Sequence, residues 1–317
     1  MIVALVHSGG ERPDDLDTLE QASEIQSAME QMGHFVHRIH FGESMGEVEQ
    51  SLLEIQPDCV FNLVESVAGS DGLLYTAAAL FEYMKLPYSG CPAASLAILA
   101  RKIDQKRFML AAGLPTPDYM EDQENPRRVS RWIVKSDSEH ASVGMDATSI
   151  VDDGESALAK IAAMKISHGG NWFAEQYIEG REFNVAILED PTGGTTVLPI
   201  AEMTFVGFEP HQPKIVDYAA KWDPESDSYY GTQRQFIPDG VESDLVTSLT
   251  QLSLKCWDLF GLRGAARVDF RVDQSGTPWI LEVNPNPCLA SDAGFMAAAR
   301  QAGLSPNDVI ACLLGAL

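Results

Sequence analysis

The sequence predicts an α/β protein with more than one domain. Apolar runs of strand length alternate with helical patterns at short spacing through the first 92 residues, which is typical of a parallel, doubly wound sheet. The chain has 317 residues, too many for one small core, so we expect two or three domains. Two neighbouring strand-like runs nearer the C-terminal end carry acids, which indicates a ligand site on another sheet.

The first domain, expected over residues 1–92, begins with an apolar strand at residues 2–6. The pattern then predicts a helix at 16–32, a strand at 34–41, a helix at 45–55, a strand at 58–64 and a helix at 73–84. Ligands of such sheets bind beyond the carboxyl ends of the strands. Residues 7–10 and 62–65 lie at or just beyond the carboxyl ends of two of these strands, so we expect them at the edge of a site. Ordinary turns are the alternative.

A second domain, expected over residues 93–180, opens with a helical segment at 93–112. A short strand at 131–135 ends in Lys135 and leads into a polar loop of small residues at 136–145. Backbone N–H groups of such a loop can close over phosphates, and the lysine would add a point charge. A plain hairpin loop is the alternative.

Later in this domain, a turn at Gly180 carries acids on both sides. A helix at 153–165 precedes two predicted strands, 171–177 and 181–188, that flank the turn. A carboxylate accepts ribose hydroxyls, and exposed strand backbone pairs with adenine. The arrangement therefore suits an adenosine.

A predicted hairpin over residues 265–283 carries a candidate metal site. Asp269 lies on its first strand with Arg267 on the same face, while Glu282 and Asn284 share one face at the end of the second strand. Hard oxygen ligands of this kind suit Mg²⁺ held against the phosphates of a nucleotide. An ordinary hairpin with acids on its solvent face is the alternative.

The hairpin belongs to the third expected domain, residues 181–317. Elsewhere this domain is expected to contain a long loop at 208–238 and helices at 241–260, 292–301 and 306–314. Loops of that length are usually lids or disordered segments.

Composition restricts the function. The formal net charge of −24 argues against binding nucleic acid or anionic membranes through general electrostatics. No apolar run approaches the ~18 residues of a membrane span, and the first residues lack the features of a signal peptide. The five scattered cysteines indicate a reducing, cytoplasmic location.

Six segments together resemble the ATP-grasp superfamily and, within it, the D-alanine–D-alanine ligases. Their order and spacing carry the resemblance more than any one segment does. The segments are LPYSG at 86–90, AGLPTP at 112–117, SVGM at 142–145, GREF at 180–183, DYAAK at 217–221, and RVD at 267–269 with LEVN at 281–284.

The resemblance implies an ATP-grasp fold of three α/β domains and an ATP-dependent carboxylate–amine ligase. It implies ATP and two Mg²⁺ ions, with Mn²⁺ as an alternative, small-molecule substrates and a homodimer. Its residue roles are Lys102 and Lys135 at the α- and β-phosphates; Ser142, Val143 and Gly144 over the β- and γ-phosphates; Glu175, Gln176 and Ile178 at adenine; Glu182 at the ribose; Lys221 at the γ-phosphate; Asp269, Glu282 and Asn284 at the metals; and Arg267 at the oxyanion of the intermediate.

The departures from the family fall on the amino-acid pocket. Hydroxyl side chains of the family are replaced at Ala141, Trp222 and Ala293, a family histidine is replaced by Glu65, and Cys288 stands where a glycine is usual. Cys288 is interpreted as a small buried filler rather than a nucleophile.

Two interpretations of this pocket stay open: D-alanine is joined through altered contacts, or the substrate half has been rebuilt. We favour the rebuilt pocket, because unreplaced hydroxyl contacts cost about 1–3 kcal/mol each. Glu65 and Glu11 would attract a cationic group, so an amine without an α-carboxylate is the expected acceptor. A non-catalytic ATP-binding module and an ATP-grasp kinase are the alternative functions.

Overall fold

Three β-sheets, each covered by helices, form the described part of the chain. The computed structural model describes residues 1–10, 13–121, 131–139, 142–209 and 212–317. The predictions for Glu11 and Ala141 therefore lie outside the described residues. Within the described ranges, no helix is long and apolar enough to cross a membrane.

The N-terminal sheet is parallel, with strand order β2–β1–β3. Its elements are β1 (Ile2–His7), α1 (Pro13–Gln31), β2 (Phe35–His40), α2 (Met45–Ile55), β3 (Cys59–Leu63) and α3 (Tyr75–Met84). Successive side chains of β1 point to opposite faces. Val3 and Leu5 pack with α1, whereas Ala4 and Val6 pack with α2 and α3. Helices thus cover both faces, which confirms the predicted doubly wound sheet.

The central sheet is antiparallel and has the strand order β4–β7–β5–β6. Its strands are β4 (Tyr119–Met120), β5 (Trp132–Ser136), β6 (Ile150–Val151) and β7 (Trp172–Gln176), and α6 (Gly154–His168) covers it. Trp132 and Trp172 pack with Ile161 and Met164 of the helix in a core of their own.

The predicted single helix at 93–112 is wrong: the segment forms two helices, α4 (Ala93–Leu99) and α5 (Lys102–Ala111). The fully buried carboxylate of Asp137 explains the break. It accepts a hydrogen bond from the Ile103 backbone N–H at 3.0 Å and pairs with the Arg101 guanidinium at 2.8 Å. The break places Lys102 at the start of α5.

The largest sheet is antiparallel, with strand order β11–β10–β8–β12–β13 and β9 paired to β8. Its strands are β8 (Gly180–Glu189), β9 (Thr195–Val197), β10 (Ala201–Phe205), β11 (Thr232–Phe236), β12 (Ala265–Asp273) and β13 (Pro278–Asn284). One face packs on α9 (Ser243–Phe260), and the other packs on α10 (Gly294–Gln301) and α11 (Pro306–Gly315). The predicted hairpin is confirmed.

The expected long loop at 208–238 is wrong over much of its length. It contains the short helices α7 (Tyr218–Trp222) and α8 (Asp227–Gly231), followed by β11 at the edge of the sheet. The sequence of β11, TQRQF, holds one apolar residue, so it lacks the alternation that marks a strand. Pairing with the backbone of β10 forms it instead.

Each of the predicted domain ranges holds one sheet, apart from Gly180, where β8 begins. We keep the ranges 1–92, 93–180 and 181–317 as a proposed domain division.

Candidate functional site

A cavity of about 610 Å³ lies between the central and largest sheets and reaches the carboxyl end of β3. Of residues 7–10 and 62–65, which were expected at the edge of a site, only Glu65 lines it. Of the described residues to which the family resemblance or its departures assign a site role, all but Gly144 line it. They are Glu65, Lys102, Lys135, Ser142, Val143, Glu175, Gln176, Ile178, Glu182, Lys221, Trp222, Arg267, Asp269, Glu282, Asn284 and Cys288. The fold therefore gathers residues from all three predicted domains around one space.

One buried carboxylate joins two lysines at the wall of this cavity. Glu175 Oε1 accepts from Lys135 Nζ at 2.8 Å, and Oε2 is paired with Lys106. Burial disfavours the charged carboxylate, but the two ammonium groups outweigh it and hold the pKa of Glu175 below its ordinary value. Both of its oxygens thus face lysines, and its predicted contact with adenine stays a prediction.

Sequence reasoning missed Lys106 as a member of the site. It is fully buried and also donates to Thr116 Oγ1 at 2.9 Å. Burial lowers the pKa of Lys106. The negative charge of Glu175 opposes this shift only in part, since Lys135 lies beside the same carboxylate. One sequence feature points to Lys106: it lies four residues after Lys102 on one predicted helix, so both lysines are on the same face of that helix.

Lys102 lies at the start of α5 and reaches across the cavity. Its ammonium donates to the Glu139 carbonyl at 2.7 Å and lies 3.5 Å from Glu282 Oε2. The predicted phosphate ligand is thus held close to the predicted metal ligand.

The loop after β5 is held in a tight turn. Ser142 and Gly144 have φ values of +60° and +69°. A Cβ at residue 144 would lie 2.8 Å from both Met164 and Trp172. Residue 144 therefore packs so closely against Met164 and Trp172 that only glycine fits without a shift of these side chains. Ser142 and Val143 line the cavity.

The lid helix α7 is attached to this loop. Ser142 Oγ donates to the Val216 carbonyl at 3.1 Å, and the Tyr218 N–H donates to the Met145 carbonyl at 3.2 Å. The helix carries Lys221 and Trp222 into the cavity. Burial, and secondarily the positive charge of Arg267, lowers the pKa of Lys221.

Asp269, Glu282 and Asn284 lie on the paired strands β12 and β13. Asp269 stands opposite Glu282, and Arg267 stands opposite Asn284. The Arg267 guanidinium forks onto both Asp269 oxygens at 2.8 and 2.9 Å. Although burial opposes its charge, Asp269 raises the pKa of Arg267.

These oxygen donors fit a divalent cation that also binds phosphate. In the described ranges, no cluster of three His, Cys, Asp or Glu side chains suits a metal ion. Two carboxylates and one amide instead leave coordination positions for phosphate oxygens and water, which is how Mg²⁺ is usually held at nucleotide sites.

Two further side chains fix this region and were missed from the sequence. Asn184 on β8 donates to Asp269 Oδ1 at 2.7 Å. Arg271 pairs with Glu182 at 2.9 Å and donates to the Gly180 carbonyl at 3.1 Å. The pairing of β8 with β12 brings them together, and no short-range sequence pattern shows that pairing.

Asp17, Glu65 and Cys288 form an acidic part of the cavity lining. Glu65 accepts from Gln21 Nε2 at 3.2 Å, and the Cys288 thiol donates to Asp17 Oδ2 at 3.3 Å. Burial, followed by the charges of Glu65 and Asp17, raises the pKa of Cys288. The side chain of Cys288 is therefore kept as a neutral thiol, which is a poor nucleophile and agrees with its interpretation as a small buried filler.

A family model described as D-ala D-ala ligase C-terminus matches residues 111–315. The chain is 30% identical to a D-alanine–D-alanine ligase of Moorella thermoacetica, covering 95% of this chain and 94% of the relative. It is 28% identical to the ligase of Gloeobacter violaceus, covering 96% of each.

Solved structures confirm the fold. A D-alanine–D-alanine ligase from Bacillus anthracis, crystallised with ATP, superposes with a TM-score of 0.76 at 20% identity, covering 100% of this chain and 97% of the other. The ATP-grasp architecture implied by the sequence resemblance is thereby confirmed.

Proposed function

Because this chain belongs to the D-alanine–D-alanine ligase family, we propose that it is an ATP-dependent ligase that joins an amino-acid carboxylate to the amine of a second small molecule. The products would be an amide, ADP and phosphate. One observation carries the proposal: lysines, an arginine fork and three oxygen donors from separate segments line a single cavity.

The basic side chains of the cavity support the proposed binding of nucleotide phosphates. Lys102 and Lys135 would bind the α- and β-phosphates, with the Ser142–Val143 backbone over the outer phosphates and Lys221 at the γ-phosphate. These three lysines are among the few basic residues of a chain with a net charge of −24, and all three line this cavity. The adenosine would lie along Gln176 to Ile178, with Glu182 towards the ribose.

Asp269, Glu282 and Asn284 would hold two Mg²⁺ ions, with Mn²⁺ as an alternative. Bound Mg²⁺ would neutralise phosphate charge during transfer. Glu282 Oε2 lies 3.5 Å from the Lys102 ammonium, so one proposed metal ligand forms an ion pair with one proposed phosphate ligand.

The reaction consists of two displacements. A donor carboxylate oxygen forms a bond to the γ-phosphorus as the bond to ADP breaks, which gives an acyl phosphate. The acceptor amine then forms a bond to the acyl carbon, loses a proton, and phosphate leaves with the C–O bond pair. Arg267 would stabilise the oxyanion of the second step, because its guanidinium is fixed at the cavity wall before substrate arrives.

Two interpretations of the amino-acid pocket were left open: D-alanine is joined through altered contacts, or the substrate half has been rebuilt. We propose that it has been rebuilt. Glu65, Trp222 and Cys288, three of the positions at which this chain departs from the family's amino-acid pocket, all line the cavity. The homodimer and the identity of the amino acids stay predictions.

The test is phosphate release from MgATP with D-alanine alone and then with a panel of amino acids and amines, using Asp269→Asn as the blank. Release with D-alanine together with a dipeptide mass would show that the departures are tolerated. Phosphate release with another pair of substrates only would support the rebuilt pocket. ADP formation with a stable phosphorylated substrate would show that the protein is a kinase and not a ligase. If ATP binds but no substrate in the panel supports phosphate release, the proposal is wrong.

A further inference from the structure

Glu175 is paired with two cations, but only one of them lines the cavity. Lys135 Nζ lies 2.8 Å from Glu175 Oε1, and both residues line the cavity. Lys106 is paired with Oε2, is fully buried, and is not among the described residues that line the cavity. Lys106 therefore has no surface with which to touch a bound nucleotide, and an effect on nucleotide binding has to act through Glu175.

The ammonium of Lys106 is fixed by contacts that do not involve Lys135. It donates to Thr116 Oγ1 at 2.9 Å, and the Thr116 hydroxyl donates in turn to the Ile280 carbonyl at 2.8 Å. Because the hydrogen of that hydroxyl is used, its oxygen is left to accept from Lys106. Lys106 is thus held beside Glu175 from the buried side.

Lys135 has two competing partners in the proposed complex with a nucleotide. It holds Oε1 of Glu175 in this structure, and it is the proposed ligand of phosphate. When Lys135 turns towards phosphate, its hold on the carboxylate weakens, and a buried carboxylate without a cation is costly. Lys106 stays paired with Oε2 and supplies that cation, so Glu175 can stay ionised with Oε1 open towards the cavity.

An ionised carboxylate at this place distinguishes between purine bases. Adenine carries an amino group at C6, which donates hydrogen bonds, whereas guanine and hypoxanthine carry a carbonyl oxygen there, which accepts them. Glu175 immediately precedes residues 176–178, along which the adenosine is proposed to lie. Its charged Oε1 would accept from the amino group and repel a carbonyl oxygen, whereas a protonated Glu175 would donate to the carbonyl and lose this preference.

We propose that Lys106 is a positioning residue that sets the nucleobase preference of the site: its buried ammonium keeps Glu175 ionised while Lys135 binds phosphate, so that Glu175 accepts a hydrogen bond from the amino group of adenine. This inference rests on the proposed ATP-dependent function and identifies a residue that controls which nucleotide the site takes. Without Lys106, Glu175 either retains Lys135 or takes up a proton. In both cases the amino group of adenine loses its acceptor.

The experiment compares nucleotide binding by the whole chain and by three variants. Lys106→Met removes the ammonium, and Lys106→Gln removes its charge but keeps hydrogen-bond donors. Thr116→Val is the matched control, because it removes the buried hydroxyl beside Lys106 and leaves both lysines and Glu175 in place. Calorimetry measures the dissociation constants of three magnesium nucleotides: ATP, purine riboside triphosphate, which lacks the amino group, and ITP, which carries a carbonyl there. Thermal unfolding confirms that each variant is folded.

The parent protein is expected to bind ATP about 10- to 100-fold more tightly than either other nucleotide, which is the usual effect of one hydrogen bond to a charged group. In Lys106→Met and Lys106→Gln this preference should fall below about threefold, whereas Thr116→Val should keep it at about tenfold or more. The ratio is the decisive quantity, because a weaker contact of Lys135 with phosphate affects all three nucleotides alike.

Three results would overturn the assignment. A purely structural role for Lys106 predicts that its replacement weakens all three nucleotides equally and leaves the preference for ATP unchanged. Loss of the preference in Thr116→Val as well would show that packing, and not the charge of Lys106, is responsible. A parent protein without a preference for ATP would leave Lys106 nothing to control.

Binding is measured without turnover, which separates this inference from the ligase proposal. If the preference falls as expected but no substrate in the panel supports phosphate release, the assignment of Lys106 stands and the ligase proposal fails. If phosphate is released but the preference is unchanged in the Lys106 variants, the ligase proposal stands and the assignment fails. If the parent protein binds none of the three nucleotides, both fail.

Discussion

Replacing Glu175 by Gln should destabilise the fold far more than replacing either of its lysine partners. The change leaves two ammonium groups, those of Lys106 and Lys135, without their carboxylate at a place that solvent barely reaches. At the 2.8 Å separation of one pair, the attraction is about 6 kcal/mol for an effective dielectric constant of about 20, and desolvation offsets much of it. Removing one partner of a buried pair costs about 3–5 kcal/mol.

Lys106→Met gives the matched comparison. It leaves one lysine and one carboxylate, so the charges balance and the side-chain volume is nearly kept. We expect a loss of about 1–2 kcal/mol, mainly from the hydrogen bond to Thr116. The double variant Lys106→Met/Glu175→Gln should recover about 2 kcal/mol relative to Glu175→Gln, because it removes one of the two uncompensated charges.

Urea unfolding of the four proteins measures these differences in the free energy of unfolding. A loss below about 1 kcal/mol for Glu175→Gln, or a larger loss for Lys106→Met than for Glu175→Gln, would refute the charge-balance reasoning. An exposed lysine change, Lys85→Met, provides the baseline for losing a surface charge.

Four further outcomes are expected. Since the pKa of Glu175 is lowered in the fold, its contribution to stability should be present above its ordinary pKa and disappear as the pH falls through the folded value; acid unfolding of Glu175→Gln should lack this loss. Gly144→Ala should lose more stability than Gly193→Ala in thermal unfolding, by about 1–2 kcal/mol, because both have positive φ but only residue 144 has packed neighbours; equal losses would contradict the packing account. Asp269→Asn should reduce phosphate release at least about 100-fold while the circular dichroism spectrum is unchanged, and a residual rate above a tenth would argue against its metal role. Cys288→Ser should keep kcat within about threefold, and Cys288 should react slowly with iodoacetamide at pH 7 because its pKa is raised; inactivation of the parent enzyme within minutes would indicate a reactive thiol.

Hydrophobic periodicity correctly predicted the strands that are specified by their own residues. The strands of the N-terminal sheet and the β12–β13 hairpin are apolar or alternating, and their predicted bounds are met within a few residues. The hairpin turn is also local: Asp273 accepts hydrogen bonds from the Ser275 and Thr277 N–H groups, and its pKa is lowered to about 2.

Elements determined by distant partners were missed. The helix pattern runs unbroken through Arg101, and the break follows from Asp137, which lies 36 residues away along the chain. The polar edge strand β11 forms on the backbone of β10, so its residue Arg234, which lines the cavity, could not be placed there from sequence. The contact of Lys106 with Glu175 likewise depends on the packing of α5 against the central sheet.

Isotope transfer tests the central claim most directly. The amino acid that supports phosphate release is prepared with ¹⁸O in its carboxylate, and the mass of the released phosphate is measured, with Asp269→Asn as the blank. One ¹⁸O atom per phosphate is expected, because the donor oxygen that attacks the γ-phosphorus leaves with it from the acyl phosphate. Phosphate without ¹⁸O would show that water, not the carboxylate, receives the phosphoryl group, and the ligase mechanism would be wrong.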